Sequence, residues 1–206
     1  MKIAALCIGA PEVTDGVSHS TGIFKRPVAG LVRVGTEGIV GDHIGDRENH
    51  GGVDQSVYLE GSISLDWWEK ELGFPYQPGM FGENLVVEGL DNREVIVGDR
   101  FIIGDLVLEV TSCRIPCNTF ARRMDDPKFV KRYWQAARPG VYCRVITAGE
   151  IADGRAVEYR RFEGARVPLP EMMVNFGRKL APEDRARYLA APVHWKLRRE
   201  LEGQSD

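Results

Sequence analysis

Cys117 stands in the segment Thr111-Ser-Cys-Arg-Ile-Pro-Cys-Asn-Thr-Phe-Ala-Arg-Arg-Met124, where a β-like run passes through Pro116 into a helix-like run. Once ionised, a thiol at such a junction can serve as a nucleophile or as a metal ligand. The helix entrance presents free N–H groups and partial positive charge, and Arg114 and Arg122 add full charges, so the surroundings favour the thiolate. The competing reading is a buried cysteine packed as a small hydrophobe. Two further polar clusters bear on the choice. Gly38 to Val57 is the longest loop-like stretch and sets glycines among His43, Asp46, Arg47, His50 and Asp54. Gly51 and Gly52 would let backbone N–H groups approach a bound anion, with Arg47 and His50 as polar contacts, although turns require glycine too. In Gly79-Met-Phe-Gly-Glu-Asn-Leu85, Glu83 and Asn84 begin a strand, where they either project as hydrogen-bonding groups or satisfy a turn.

The elements that must carry these clusters are mostly strands. Lys2 to Ala10 reads as an opening strand, and 29–35, 55–59, 83–87 and 94–97 are short and β-rich. In Asp105 to Thr111, Leu106, Leu108 and Val110 share one face while Glu109 and Thr111 share the other. Closely spaced strands with Gly-Asp turns predict a mainly β fold, a closed or nearly closed antiparallel barrel with inserted helices. One helix is expected over Ser64 to Leu72, with Trp67 and Trp68 in the core. A second is expected after Asp126 and Pro127, with Phe129, Val130, Tyr133, Trp134 and Ala137 at helical spacing. Residues 1–162 are assigned to the barrel domain. Residues 163–206 are assigned to a three-helix segment, with helices near 171–180, 183–190 and 193–201.

The chain has 206 residues, 43% hydrophobic and 28% charged, enough for one good core and a small appendage. A net charge of −3 disfavours a nucleic-acid-binding surface, and the basic edge Lys196, Arg198 and Arg199 reads as a solvated helix face. No apolar run approaches the roughly 20 residues that span a bilayer, so a cytoplasmic location is expected. The four cysteines lack a zinc or iron–sulfur spacing. Cys7 and Cys143 read as structural, and Cys113 as ambiguous: beside the site, paired with Cys117 in a redox couple, or facing the core.

Taken together, the motifs resemble the MOSC-domain family, named for the C-terminal domain of molybdenum cofactor sulfurases, and within it the small bacterial YiiM-like branch. The resemblance runs from about Ser20 to Ile151. It rests on Thr21-Gly-Ile-Phe-Lys-Arg-Pro-Val28, Val40-Gly-Asp42, Glu48-Asn-His-Gly-Gly-Val-Asp-Gln55, Phe81-Gly-Glu-Asn-Leu85, Arg114-Ile-Pro-Cys117, Asp126-Pro-Lys-Phe-Val-Lys-Arg132 and Arg138-Pro-Gly-Val-Tyr142. It implies a barrel that holds a molybdenum cofactor of the molybdopterin type, with Cys117 as the metal ligand. A thiolate suits molybdenum's sulfur-rich coordination. Because that cofactor carries a phosphate, Lys25, Arg26, Arg47, Arg114 and Arg122 become candidate anion contacts, with Gly51 and Gly52 beside them.

The pyridoxal-phosphate domain of the sulfurases has no room in this chain. The resemblance therefore implies the chemistry of stand-alone relatives: two-electron reduction of N-hydroxylated compounds, including hydroxylaminopurine-type base analogues, in a detoxifying role. His50 is then the candidate proton donor and Asn84 the candidate for orienting substrate. The chain carries no ferredoxin-type cysteine pattern, dinucleotide-binding glycine fingerprint or haem attachment motif, so an external electron donor is expected, a reductase or a ferredoxin- or flavodoxin-like protein. The alternative is a non-catalytic carrier of the cofactor. A third reading pairs Cys117 and His50 for acyl transfer. A homodimer is left open.

Overall fold

In a computed structural model, the described residues are 1–13, 20–46 and 51–204. The apolar opening run forms β1 (Lys2–Ile8), whose far end pairs with the two-residue β2 (Arg26–Pro27). β3 (Val32–Gly35), β4 (Gly38–Ile39) and β10 (Gly149–Ile151) make a small three-stranded sheet in the order β10-β3-β4. The remaining strands are β5 (Val57–Gly61), β6 (Leu85–Glu88), β7 (Arg100–Ile103), β8 (Leu106–Cys113), β9 (Val141–Thr147) and β11 (Glu158–Arg160). With β1 and β2 they form an eight-stranded sheet in the order β11-β7-β8-β9-β5-β6-β1-β2.

This sheet corrects the expectation of a closed or nearly closed antiparallel barrel in two ways. First, it has two ends, β11 and β2. The start of β1 touches the chain leading into β11 through a lone bridge between Lys2 and Ala156, with Ile3 N–H donating to the Arg155 carbonyl at 2.9 Å. The sheet curls but the ladder does not close. Second, β5 and β6 run parallel, Leu59 opposite Leu85. The physical reason lies in α1 (Ser62–Leu72), which follows β5 without a gap and supplies the crossover that parallel neighbours need.

The stretch 94–97 is not a strand either. A 3₁₀ turn occupies Asn92–Glu94, and the Asp91 carboxylate accepts from Arg93 N–H at 3.0 Å. Asp99 likewise accepts from Ile96 N–H at 3.0 Å. Side-chain carboxylates have taken donors that a ladder would use.

Between β8 and β9 lie α2 (Asn118–Arg123) and α3 (Phe129–Ala136). Their apolar faces meet α1 in an aromatic cluster: Trp68 stacks on Tyr133 with centroids 5.6 Å apart, and Phe120 meets Phe129 edge-on at 5.0 Å. Trp68, Phe81, Phe120, Phe129 and Tyr133 are all fully buried, so α2 rests on a rigid base. Trp67, expected in the core, is half-buried beneath the Arg138 guanidinium, 4.8 Å from its ring centre.

The tail forms α4 (Leu169–Val174), α5 (Pro182–Leu189) and α6 (Trp195–Glu202). The first of these ends six residues before the expected Leu180, since Asn175 caps it and Gly177 turns with φ 70°. The tail is tied to the rest of the chain by backbone bonds. Leu169 N–H donates to Val95 at 3.1 Å and His194 N–H to Thr111 at 3.1 Å. Trp195 N–H donates to the buried Asp54 carboxylate at 2.7 Å. No helix among the described residues is long and apolar enough to cross a membrane.

Candidate functional site

Cys117 occupies the N-cap position of α2 in an extended conformation (φ −126°, ψ 172°), and its carbonyl accepts from Phe120 and Ala121 N–H at 3.0 and 3.1 Å. It is half-buried, whereas Cys7, Cys113 and Cys143 are buried, and none of the four forms a disulfide. Burial pushes the Cys7 and Cys113 thiols up to about 12 and Cys143 well above its ordinary value, so these three stay protonated at neutral pH. Accessibility therefore separates Cys117 from the rest.

Cys117 lines a cavity of about 750 Å³, within the range of about 300–1,000 Å³ usual for ligand sites. The sheet contributes Tyr58, Ser112, Cys113 and Tyr142, the residues flanking its strands add Ser56 and Arg114, and the loops contribute Lys25, Asp42, His43, Gly51 and Asn84. Arg114 is 5% exposed and held in its charged form. Burial opposes the charge, but coupling to Tyr142, Tyr58 and Cys117 outweighs it. Nη1 donates to the Tyr142 hydroxyl at 3.0 Å, and the guanidinium lies over Phe120 and Tyr58, 4.6 and 5.3 Å from their centroids. Nε and Nη2 are buried with no hydrogen-bond partner among the described residues. The Ser112 hydroxyl, on a residue 8% exposed, is also without one. Ser112 and Arg114 both line the cavity, and three orphaned polar atoms on two such residues are costly unless a ligand completes them; guanidinium nitrogens in that state call for an anion.

The other residues singled out from the sequence fall in different places. Lys25 lines the cavity as half of a buried ion pair: Nζ contacts both carboxylate oxygens of Asp42, at 2.5 Å to Oδ2. Burial lowers its pKa against the opposing pull of Asp42. The amide of Asn84 is committed to the fold. Its Oδ1 accepts from Tyr58 N–H at 3.1 Å, and its Nδ2 donates to Asp42 Oδ2 at 3.0 Å and to the Cys7 carbonyl at 3.3 Å. Asn84 therefore holds Asp42 in place. Arg26 is exposed and pairs with Glu12 at 2.9 Å, away from the cavity lining. Arg122 is exposed and likewise not part of the lining. Gly51 lines the cavity with φ 75°, and Gly52 follows with φ 76°, conformations that favour glycine at both positions. Arg47 and His50 lie outside the described residues.

Sequence reasoning named His43 among the loop's polar residues and Asp42 within a family motif without giving either a role, and it neither singled out Ser112 nor placed the three-helix tail at the site. A register shift between Val110 and Ser112 breaks the strict alternation of β8. Such bulges re-aim side chains next to sites, and nothing in the local residue types announces this one. His43 sets Nε2 2.9 Å from the Ser20 hydroxyl. The tail supplies a whole wall, including Met172, Phe176, Leu180, His194 and Leu197.

No group of three or more His, Cys, Asp or Glu side chains positioned to hold a metal ion occurs among the described residues. One half-buried thiol and a buried guanidinium with two unpartnered nitrogens instead fit a metal that arrives on its own anionic organic chelate. The residues present thus suit a phosphate-bearing molybdenum cofactor, with Cys117 toward the metal and Ser112 and Arg114 toward an anionic group.

Comparison with known proteins agrees with this architecture. The chain is 34% identical over 159 residues to an uncharacterised protein, YflK, of Bacillus subtilis, covering 76% of this chain and 72% of that one. It is 30% identical over 146 residues to a protein named reductase from Gibberella moniliformis, covering 69% of this chain but 26% of the fungal one. The match to YiiM of Escherichia coli is 27% over 141 residues and spans 62% of that protein. The crystal structure of YiiM from Geobacillus stearothermophilus superposes with a TM-score of 0.80 at 23% identity, covering 98% of this chain and 97% of that one, a likeness of fold. The MOSC domain model matches residues 46–158, and the chain belongs to the MOSC domain family.

Proposed function

We propose that this protein is a molybdenum-cofactor-dependent oxidoreductase that reduces N-hydroxylated compounds to amines. The observation that carries the reading is the Ser112 hydroxyl and the Arg114 Nε and Nη2, buried without a partner among the described residues, on two residues that line one cavity with the half-buried Cys117. Family membership and the relative named reductase support it. When bound, the cofactor supplies two-electron redox chemistry. The reaction balances as R–NHOH with two electrons and two protons giving R–NH₂ and water, with cleavage of the N–O bond.

The chain's own residues bind, orient and exclude water. Arg114 charges the inner end of the cavity and offers Nε and Nη2 to an anionic group, while Ser112 adds a hydroxyl that can donate or accept. Cys117 offers its sulfur at the mouth of α2, on the aromatic base of Phe120 and Phe129 that limits its movement. The Lys25–Asp42 pair, held by Asn84, fixes the loop wall and keeps it polar. His43 places an imidazole on that wall and can pass a proton, a role for which His50 is also proposed. The electrons come from a separate donor protein.

The test is elemental analysis of protein purified from a host that makes the cofactor, paired with reduction of N-hydroxylated substrates by a chemical electron donor. About one molybdenum per chain, lost in Cys117→Ser while the circular dichroism spectrum is kept, together with turnover by the wild type, is the expected result. Molybdenum bound without turnover by any donor would reassign the protein as a cofactor carrier. Absence of molybdenum from both would defeat the proposal.

A further inference from the structure

The cavity lining is mixed. Ser112, Arg114, Lys25 and Asp42 are polar groups from the sheet, its edge and the loops, and the tail adds the apolar Met172, Phe176, Leu180 and Leu197 beside the polar His194, Lys196 and Glu200. Most of these apolar tail side chains are buried or half-buried against the sheet or one another. Phe176 differs: it sits in the turn between α4 and α5, is 61% exposed, and lines the cavity together with its neighbours Asn175, Gly177 and Arg178.

Its ring approaches Trp134 of α3, with centroids 6.4 Å apart and planes at 43°. α3 follows directly on the helix that Cys117 caps, so the Phe176 turn reaches from the tail to the element bearing the thiol. Behind the turn, Asn175 Nδ2 donates to the buried Tyr188 hydroxyl at 3.2 Å, which fixes where the turn emerges. An exposed aromatic ring among the lining residues of a cavity that also carries polar groups matches a ligand with a flat apolar body and one polar reacting group.

Resting on the reading above, we infer that Phe176 is a specificity-determining residue that selects ring-bearing N-hydroxylated substrates by stacking on their flat face at the cavity mouth. A small, ringless hydroxylamine has no surface for it to grip. The tail then acts as the wall that sorts substrates, and the sheet side holds the group that reacts.

Two measurements on the whole chain test this. The first is binding of 2-aminopurine, an aromatic amine whose fluorescence is quenched on stacking, to wild type and to Phe176→Ala, Phe176→Tyr and Phe74→Ala. Phe74 is 48% exposed and not part of the cavity lining, so it controls for loss of any surface ring. Expected are roughly tenfold weaker binding in Phe176→Ala, near wild-type binding in Phe176→Tyr and no change in Phe74→Ala. The second, on cofactor-loaded protein, is the ratio of kcat/KM for N-phenylhydroxylamine to that for hydroxylamine. It should fall about tenfold in Phe176→Ala, chiefly through KM. Equal 2-aminopurine binding by wild type and Phe176→Ala, or no binding by either, overturns the inference. Weakened binding in Phe176→Ala with no reduction by any form would leave the aromatic wall standing and count against the reductase reading alone.

Discussion

Replacing Arg114 by methionine should separate stability from ligand binding. In the protein without cofactor, the guanidinium carries two buried unpartnered N–H-bearing atoms, Nε and Nη2, each of which costs about 1–3 kcal/mol. Their removal relieves about 2–6 kcal/mol. Against this stand the lost bond to the Tyr142 hydroxyl, about 1 kcal/mol, and two cation–π contacts with Phe120 and Tyr58 at about 0.5–2 kcal/mol each. Methionine is flexible enough to fill the slot between those rings. The terms nearly cancel, so the cofactor-free variant should unfold within about 2 kcal/mol of wild type, a Tm change of about 4–8 °C at most for a chain of this size.

Ligand retention should behave otherwise. Two charge-assisted hydrogen bonds at about 1.5–3 kcal/mol each are lost, so affinity should fall by about 10²–10⁴. The assay pairs urea unfolding of cofactor-free protein with molybdenum content and cofactor fluorescence after expression in a competent host. A variant destabilised by more than about 4 kcal/mol, or one that keeps its cofactor at wild-type level, would refute the assignment of Arg114 as a residue whose partner is a ligand.

Two further outcomes follow from the same geometry. Glu60 is fully buried, accepting from the Tyr58 hydroxyl and from Asn92 Nδ2, each at 2.5 Å, and burial raises its pKa to about 8. Because the folded protein holds this proton more tightly than the unfolded chain, its contribution to stability is complete below about pH 4.5. That contribution is lost as pH rises toward 8, with a slope of at most about 1.4 kcal/mol per pH unit. Urea midpoints across that range should show the decline in wild type and a shallower one in Glu60→Gln; identical slopes would exclude a protonated Glu60. Separately, a Cβ on Gly22 would meet the backbone carbonyl of His43 at under 3.0 Å, and the clash cannot be relieved by a rotamer change. Gly22→Ala should therefore displace the Asp42–His43 wall, costing about 1–3 kcal/mol and lowering cofactor retention; unaltered retention would place that wall outside the site.

The difference between what the residues announced and what they concealed follows their physics. The position of Cys117 at a strand-to-helix junction was legible because a β-run gives way to a helix-like run through Pro116, and the burial of Cys7 and Cys143 because of their apolar strand neighbours. The two central helices were legible from their spacing, since 3.6-residue periodicity survives in a single sequence. The parallel pairing of β5 and β6 was concealed although α1 was recognised, because an inserted helix and a crossover helix carry the same amphipathic pattern. Asn84 was recognised as a polar group beside the site, but its residue type could not say that all its bonds go to Tyr58, Asp42 and Cys7.

The tail shows why such gaps concentrate at function. Read alone, 163–206 is three short helices with a basic edge, and no local feature requires it to touch Cys117. Its role in the cavity depends on Asp54, which lies two residues after Gly52 and accepts from Trp195 N–H at 2.7 Å, 141 residues further along the chain. Asp54 also takes Arg144 at 3.1 Å, and its own carbonyl accepts the Thr111 hydroxyl at 2.5 Å, beside Ser112. One buried aspartate thus ties the glycine loop, the strand that leads through Ser112 to Arg114, and the tail into a single frame. The cavity exists only where three distant stretches of chain converge, so its chemistry is written in pairings across the fold that local residue patterns do not contain.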